Sequence, residues 1–286
     1  MTHAIRTGSM SPRAGLYPRG LAACLALVAL LVLGACAQMP AGAGGPGVSA
    51  RSGEPLTESD EPEARKRARI RVELASGYFE NGQTTVALDE IKLALQNDPS
   101  YAPAYTLRGL VYSRLNDVRL AEESFARAQQ LAPSDPNVLH HYGLFLCEQG
   151  RYPQSIDMFQ RALNSPTYGG QAKTLMAKGI CQVRAAQFAE AETSLTRAYE
   201  LDAGNPITAY NLAALQFRRG DYTKAQFTIR RLNNTDLANA ETLWLGIKVE
   251  QRVGNTEAMA QLAQQLSRRF PESREWGSYQ RRAFDE

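Results

Sequence analysis

The chain has 286 residues and a formal charge of +3, from 32 basic and 29 acidic side chains, with a pI of about 8.7. Arg6, Arg13 and Arg19 precede the first apolar run and no acid lies before Glu54, so the chain beyond its leader is neutral. The basic pI belongs to that leader and gives no support to a nucleic-acid surface.

Residues 1–35 have the layout of an export signal. Three arginines come first, then the apolar stretch Leu21 to Leu33, then the small residues Gly34 and Ala35 before Cys36. Thirteen apolar residues are too few to span a membrane, which takes about 20. The ending Leu33-Gly34-Ala35-Cys36 resembles the bacterial lipobox. That resemblance implies an acylated Cys36 as the first mature residue, although an ordinary secretory signal or an uncleaved anchor would also fit the layout. Ala37, in place of an Asp, implies delivery to the outer membrane, facing the periplasm. Residues 36–62 are rich in Gly, Ala, Pro and Ser, with little to bury, and are expected to form a flexible tether. The Gly42 to Gly47 run lacks the GK[ST] ending of a phosphate loop.

Residues 63–272 repeat themselves. The small residues Ala75, Gly109, Gly143, Gly179, Ala213 and Gly246 are spaced 34, 34, 36, 34 and 33 apart, which resembles the tetratricopeptide period. With these as position 8 of units starting near 68, 102, 136, 172, 206 and 239, position 20 holds Ala87, Ala121, Ser155, Ala191, Ala225 and Ala258. Position 24 holds Ile91, Phe125, Phe159, Leu195, Ile229 and Leu262. Two antiparallel helices approach closely only where small side chains face each other with a larger one beside them. The turn falls near Gly82, Asn116, Gly150, Ala186, Gly220 and Val253. Pro136 and Pro206 sit where a helix can begin without its N–H. The expected fold is all-α: a right-handed superhelix of six tetratricopeptide hairpins. Residues 273–286, with Trp276, Tyr279 and Phe284 at helical spacing, are expected to cap it. The segment Asn164 to Gly170 carries two extra residues, and a looser junction is expected there.

In that family, positions 2, 5, 9, 12 and 13 face a concave groove. Here they give Val72, Phe79, Leu110, Arg114, His140, Met176, Tyr210 and Phe217 as candidate partner-binding residues, with Leu243, Ile247 and Glu250 in the last unit. Leu144 and Ile180 are expected to pack on neighbouring repeats. An apolar groove with a few charges suits an extended or helical segment of another protein. His140 and His141 are adjacent on a helix, so they point about 100 degrees apart and do not share a metal. No catalytic grouping, cofactor motif or metal set stands out, so neither enzymatic activity nor a small-molecule substrate is expected.

The third unit's HHYGLFLCEQGRY and FQRALNSPTY, the fifth's NLAALQFRRGDY with IRRLN, and the sixth's ETLWLGIKVEQRVGN with QQLSRRFPES resemble the type IV pilus biogenesis and stability lipoproteins of the PilF/PilW family. Arg69 and Arg71 in the first unit depart from its commoner apolar residues. The resemblance implies a pilotin: a lipoprotein held in the outer membrane by its acylated Cys36, required for secretin subunits of the pilus channel to reach that membrane or assemble. The other reading is a repeat lipoprotein serving as adaptor for cell-wall or outer-membrane assembly enzymes. Cys147 and Cys181 are candidates for a disulfide, as the resembling family includes members with a bridge between these units. Two buried free thiols at equivalent core positions fit the sequence as well.

Overall fold

The computed structural model describes residues 60–285; Cys36, the leader and most of the expected tether lie outside them. The described residues form thirteen helices and no strand. Six hairpins come first: α1 (Glu63–Glu80) with α2 (Thr84–Asn97), α3 (Ala102–Arg114) with α4 (Val118–Leu131), and α5 (Pro136–Glu148) with α6 (Tyr152–Leu163). Then follow α7 (Gln171–Arg184) with α8 (Phe188–Leu201), α9 (Pro206–Arg218) with α10 (Tyr222–Asn233), and α11 (Ala240–Val253) with α12 (Thr256–Arg269). The short α13 (Arg274–Gln280) closes the series. The result is an all-α superhelical repeat.

The small-residue register explains the hairpins atom by atom. A Cβ added to Gly109 would lie 2.8 Å from the Phe125 ring, and one on Gly143 2.8 Å from Phe159. Position 24 therefore occupies the space that position 8 vacates. Hairpin turns pass through the left-handed region at Gly82, Asn116, Gly150, Ala186, Gly220 and Gly254, with φ between 59° and 84°, a conformation that favours glycine. Helix starts are fixed by side chains that accept from free N–H groups: Asp117, Asp135, Asn205, Asn239 and Asn255 all cap in this way.

The sixth hairpin departs from the expected register by one residue. Its left-handed turn residue is Gly254 and not Val253, and Ile247, Ala263 and Leu266 are its buried side chains. Aligning on Gly246 as the small residue set that unit one step early. The junction between hairpins three and four is also tighter than its extra length suggests. Tyr168 folds inward to 9% exposure and its hydroxyl lies 3.0 Å from Thr174 Oγ1.

Two layers result. Odd-numbered helices from α1 to α11 each touch the next odd helix, whereas the even-numbered helices touch only their neighbours in the chain. A stack in which one layer is in contact and the other is spread bends toward the contacting layer, so the odd helices line the concave side. No described helix is long and apolar enough to cross a membrane.

Candidate functional site

The concave side carries two hollows. One, of about 320 Å³, is lined by Phe79 of α1, Leu110, Ser113 and Arg114 of α3, and His141, Leu144 and Glu148 of α5. Arg114 lies 3.8 Å above the Phe79 ring and donates to the Phe79 carbonyl at 2.7 Å. The guanidinium is thus held in place by a cation–π contact and a hydrogen bond while remaining at the surface. Val72 and Phe79 are half-buried, packed against Ala75, Ile91 and Val111. Leu110 bridges that cluster and the next one, around Phe125 and Tyr142. This hollow therefore has an apolar floor, one fixed cation and one exposed carboxylate, Glu148.

The second, of about 260 Å³, lies between α9, α11 and α13, lined by Tyr210, Ala214, Phe217, Trp244, Lys248, Glu241 and Glu275. Lys248 stands 5.8 Å from the Phe217 ring and 5.6 Å from Trp244. Burial lowers its ammonium pKa and raises that of the Tyr210 hydroxyl. Met176, on α7 between the two hollows, is half-buried.

Not every expected groove residue reaches the groove. His140 is 1% exposed, and its Nδ1 lies 2.8 Å from Thr174 Oγ1 on the next odd helix. Tyr168, in the longer junction, meets the same Thr174 hydroxyl. Desolvation, with the charges of His141 and Lys173, holds the His140 pKa down to about 3; His141 is held at about 4, by burial first and then by Lys173. Leu243, Ile247 and Glu250 are fully buried. Glu250 accepts from Arg230 at 2.6 and 2.8 Å and from Gln226 at 2.8 Å, so it is a structural ion pair. Trp244 and Lys248 take the groove places in that hairpin, a consequence of the one-residue shift. Gly254, the commonest residue type for the left-handed turn, is the signal that would have revealed it. Leu144 and Ile180 are partly buried against neighbouring clusters. Among the described residues no cluster of three His, Cys, Asp or Glu side chains could hold a metal.

Behind the groove, Cys147 of α5 and Cys181 of α7 are paired with a Cα separation of 5.9 Å, within the range a disulfide accepts. Both are buried beside Phe159 and Ala177.

Models of the tetratricopeptide repeat match residues 72–136, 135–203 and 182–242. The type IV pilus assembly protein PilF of Pseudomonas aeruginosa is 26% identical over 209 residues, 73% of this chain and 83% of its own length. The crystal structure of PilW, a widely conserved type IV pilus biogenesis factor, superposes with a TM-score of 0.68 at 29% identity, covering 74% of this chain and 97% of PilW. The chain is a tetratricopeptide repeat protein, homologous to PilF and PilW. The Pseudomonas aeruginosa pilF structure, at 24% identity and a TM-score of 0.70, covers 77% of this chain and all of its own and supports the same fold. The homology supports a role in type IV pilus assembly.

Proposed function

We propose that this protein is a non-catalytic pilotin that is anchored in the outer membrane by acylated Cys36 and holds secretin subunits of the pilus channel in its concave groove. The observation that carries this reading is the hollow at Phe79, Leu110 and Arg114, on a stack homologous to pilus assembly proteins. It offers apolar floor with one immobilised cation, the combination that fits a protein segment carrying an acidic group beside apolar side chains. From the fourth hairpin on, the exposed rim residues Arg184 and Arg218 are basic, and Arg218 lies 4.4 Å from the Phe188 ring, so the same preference continues along the groove. A lipid at Cys36 and a rigid groove together raise the local concentration of a captured subunit at the membrane. Catalysis has no part in this.

Pull-down of secretin fragments by the intact protein tests the proposal. Arg114→Glu and Leu110→Ala together are expected to weaken capture at least about tenfold, and Cys36→Ser to leave a folded protein absent from the outer membrane. Undiminished capture by the groove variant, or outer-membrane retention of the Cys36 variant, would overturn the respective half.

A further inference from the structure

Among the described residues no repeat precedes the first hairpin, and the positions that elsewhere receive the preceding hairpin are exposed. The third residues of the second to fifth units, Ala104, Val138, Thr174 and Thr208, are buried, and so are the seventh residues Tyr142 and Leu212; the seventh residues Arg108 and Lys178 are half-buried. The same register in the first unit holds Ile70 and Leu74, which are 52% and 43% exposed. One turn further along is Gly77, where an added Cβ would meet nothing within 4 Å. On α2, Val86 and Leu93 are exposed as well. Arg71 pairs with Glu90 at 2.8 Å and Arg67 donates to Asn97 at 3.0 Å, tying α1 to α2 along the side that carries all four apolar residues. This is a helix-packing surface on which no other described element packs.

We propose that this face pairs with the same face of a second copy of the chain, with the two α1 helices antiparallel about a two-fold axis. Three observations favour that occupant. First, the stripe Ile70, Leu74 and Gly77 follows the i, i+4, i+7 spacing of a helix–helix contact, and Gly77 lets a second backbone come close. Second, the charges are self-complementary only in the antiparallel sense. Lys66 and Arg67 occupy the first half of α1 and Glu80 its end, and Lys66 and Glu80 are exposed with no ion-pair partner among the described residues. An axis near Glu73 brings Lys66 level with Glu80 of the partner subunit and leaves Ile70 two residues along from Leu74 of the partner subunit, still within reach across the contact; parallel pairing would set like charges side by side. Third, the sequence ahead of α1 offers little to cover the face: from Ala37 to Ser59 its large apolar residues are Met39, Val48 and Leu56. Two-fold pairing of one patch with itself is the commonest way identical chains associate. The contact is separate from the groove and does not depend on what the groove holds.

Light scattering of the full-length protein in mild detergent, over a range of concentrations, tests the proposal. A monomer–dimer equilibrium is expected for the unaltered chain. Ile70→Asp with Leu74→Asp should raise its dissociation constant about a hundredfold or more with helical content unchanged. Lys66→Glu and Glu80→Lys, two surface changes that leave packing intact, should each weaken the dimer when alone, and an equimolar mixture of the two variants should restore it, because both cross-pairs then become attractive. A chain that stays monomeric at every concentration, with the face covered by its own N-terminal segment or open, overturns the proposal. So does a dimer that tolerates the aspartates, or a mixture that fails to recover.

Discussion

The two ends of this stack solve the same problem in opposite ways. At the C-terminal end the last hairpin would expose Leu243, Trp244, Ile247, Ala263 and Leu266, and α13 lays Trp276, Tyr279 and the following Phe284 over them. Phe284 stacks 5.5 Å from Trp244, Ser273 caps the helix by accepting from the Trp276 N–H at 3.1 Å, and Asp285 pairs with Arg252 at 2.6 Å. At the N-terminal end Ile70, Leu74, Val86 and Leu93 stand in the open. A repeat protein needs covered termini, so an end left apolar is an end that awaits something. The comparison separates residues that hold the fold from residues that are available for association.

Acid offers the strongest way to break it. His140 and His141 lie at the joint between the third and fourth hairpins, and burial holds their pKa values at about 3 and about 4, below the ordinary 6.5. The unfolded chain therefore binds more protons as pH drops below 6.5. Stability is full above that pH and is lost as the pH falls toward 4, at a slope of about 1.4 kcal/mol per pH unit for each histidine. Denaturant melts at stepped pH should show this decline, and His141→Gln should reduce its slope by about half. Below pH 5, hydrogen exchange should open hairpins one to three before the capped hairpins five and six.

Reduction of the Cys147–Cys181 pair comes next. Thiol titration of the unfolded, unreduced protein should find neither sulfur free, and reduction should lower unfolding stability by about 3 to 4 kcal/mol, the loop-closure value for cysteines 34 residues apart. Two titratable thiols would show that the pair is not bonded in the cell. The cap is expected to contribute somewhat less: Trp276→Ala removes a half-buried aromatic and should cost about 2 to 3 kcal/mol, with the melting of hairpin six affected first. The smallest effect belongs to the open end. Ile70→Ser with Leu74→Ser should change the thermal stability of the monomer by no more than about 0.5 kcal/mol, since these side chains lose little by becoming polar. A large loss there would show that the face is already covered within one chain.

The sequence disclosed the hairpins well because their pairing is a steric requirement. A side chain at Gly109 or Gly143 would occupy the space of Phe125 or Phe159, so the constraint is written directly in residue size. The cap was legible for a similar reason, as three aromatics at helical spacing have to be placed against something. The groove was less legible, because facing outward or facing a neighbour depends on the twist between hairpins. His140 and Leu110 hold equivalent kinds of position, yet only His140 is buried, joined through Thr174 to the junction residue Tyr168. Trp244 and Lys248 were missed through a one-residue slip, caused by taking Gly246 as the register mark when the turn glycine Gly254 carries it. The association face was hidden altogether: Ile70 and Leu74 look like ordinary core residues until the structure shows them exposed, with no described repeat ahead of them.

The layered contacts also give the molecule a one-sided elasticity. The odd helices already touch, so squeezing the groove shut presses them together, while the even helices touch only their neighbours in the chain and have more room on their side. The stack is therefore stiff to closing and compliant to opening. Cys147 and Cys181 lie on consecutive odd helices, in the layer that opening would stretch. With the pair bonded, the link would work as a tie rod in tension, limiting how far a pull along the groove can spread the third and fourth hairpins while leaving the rest free to flex.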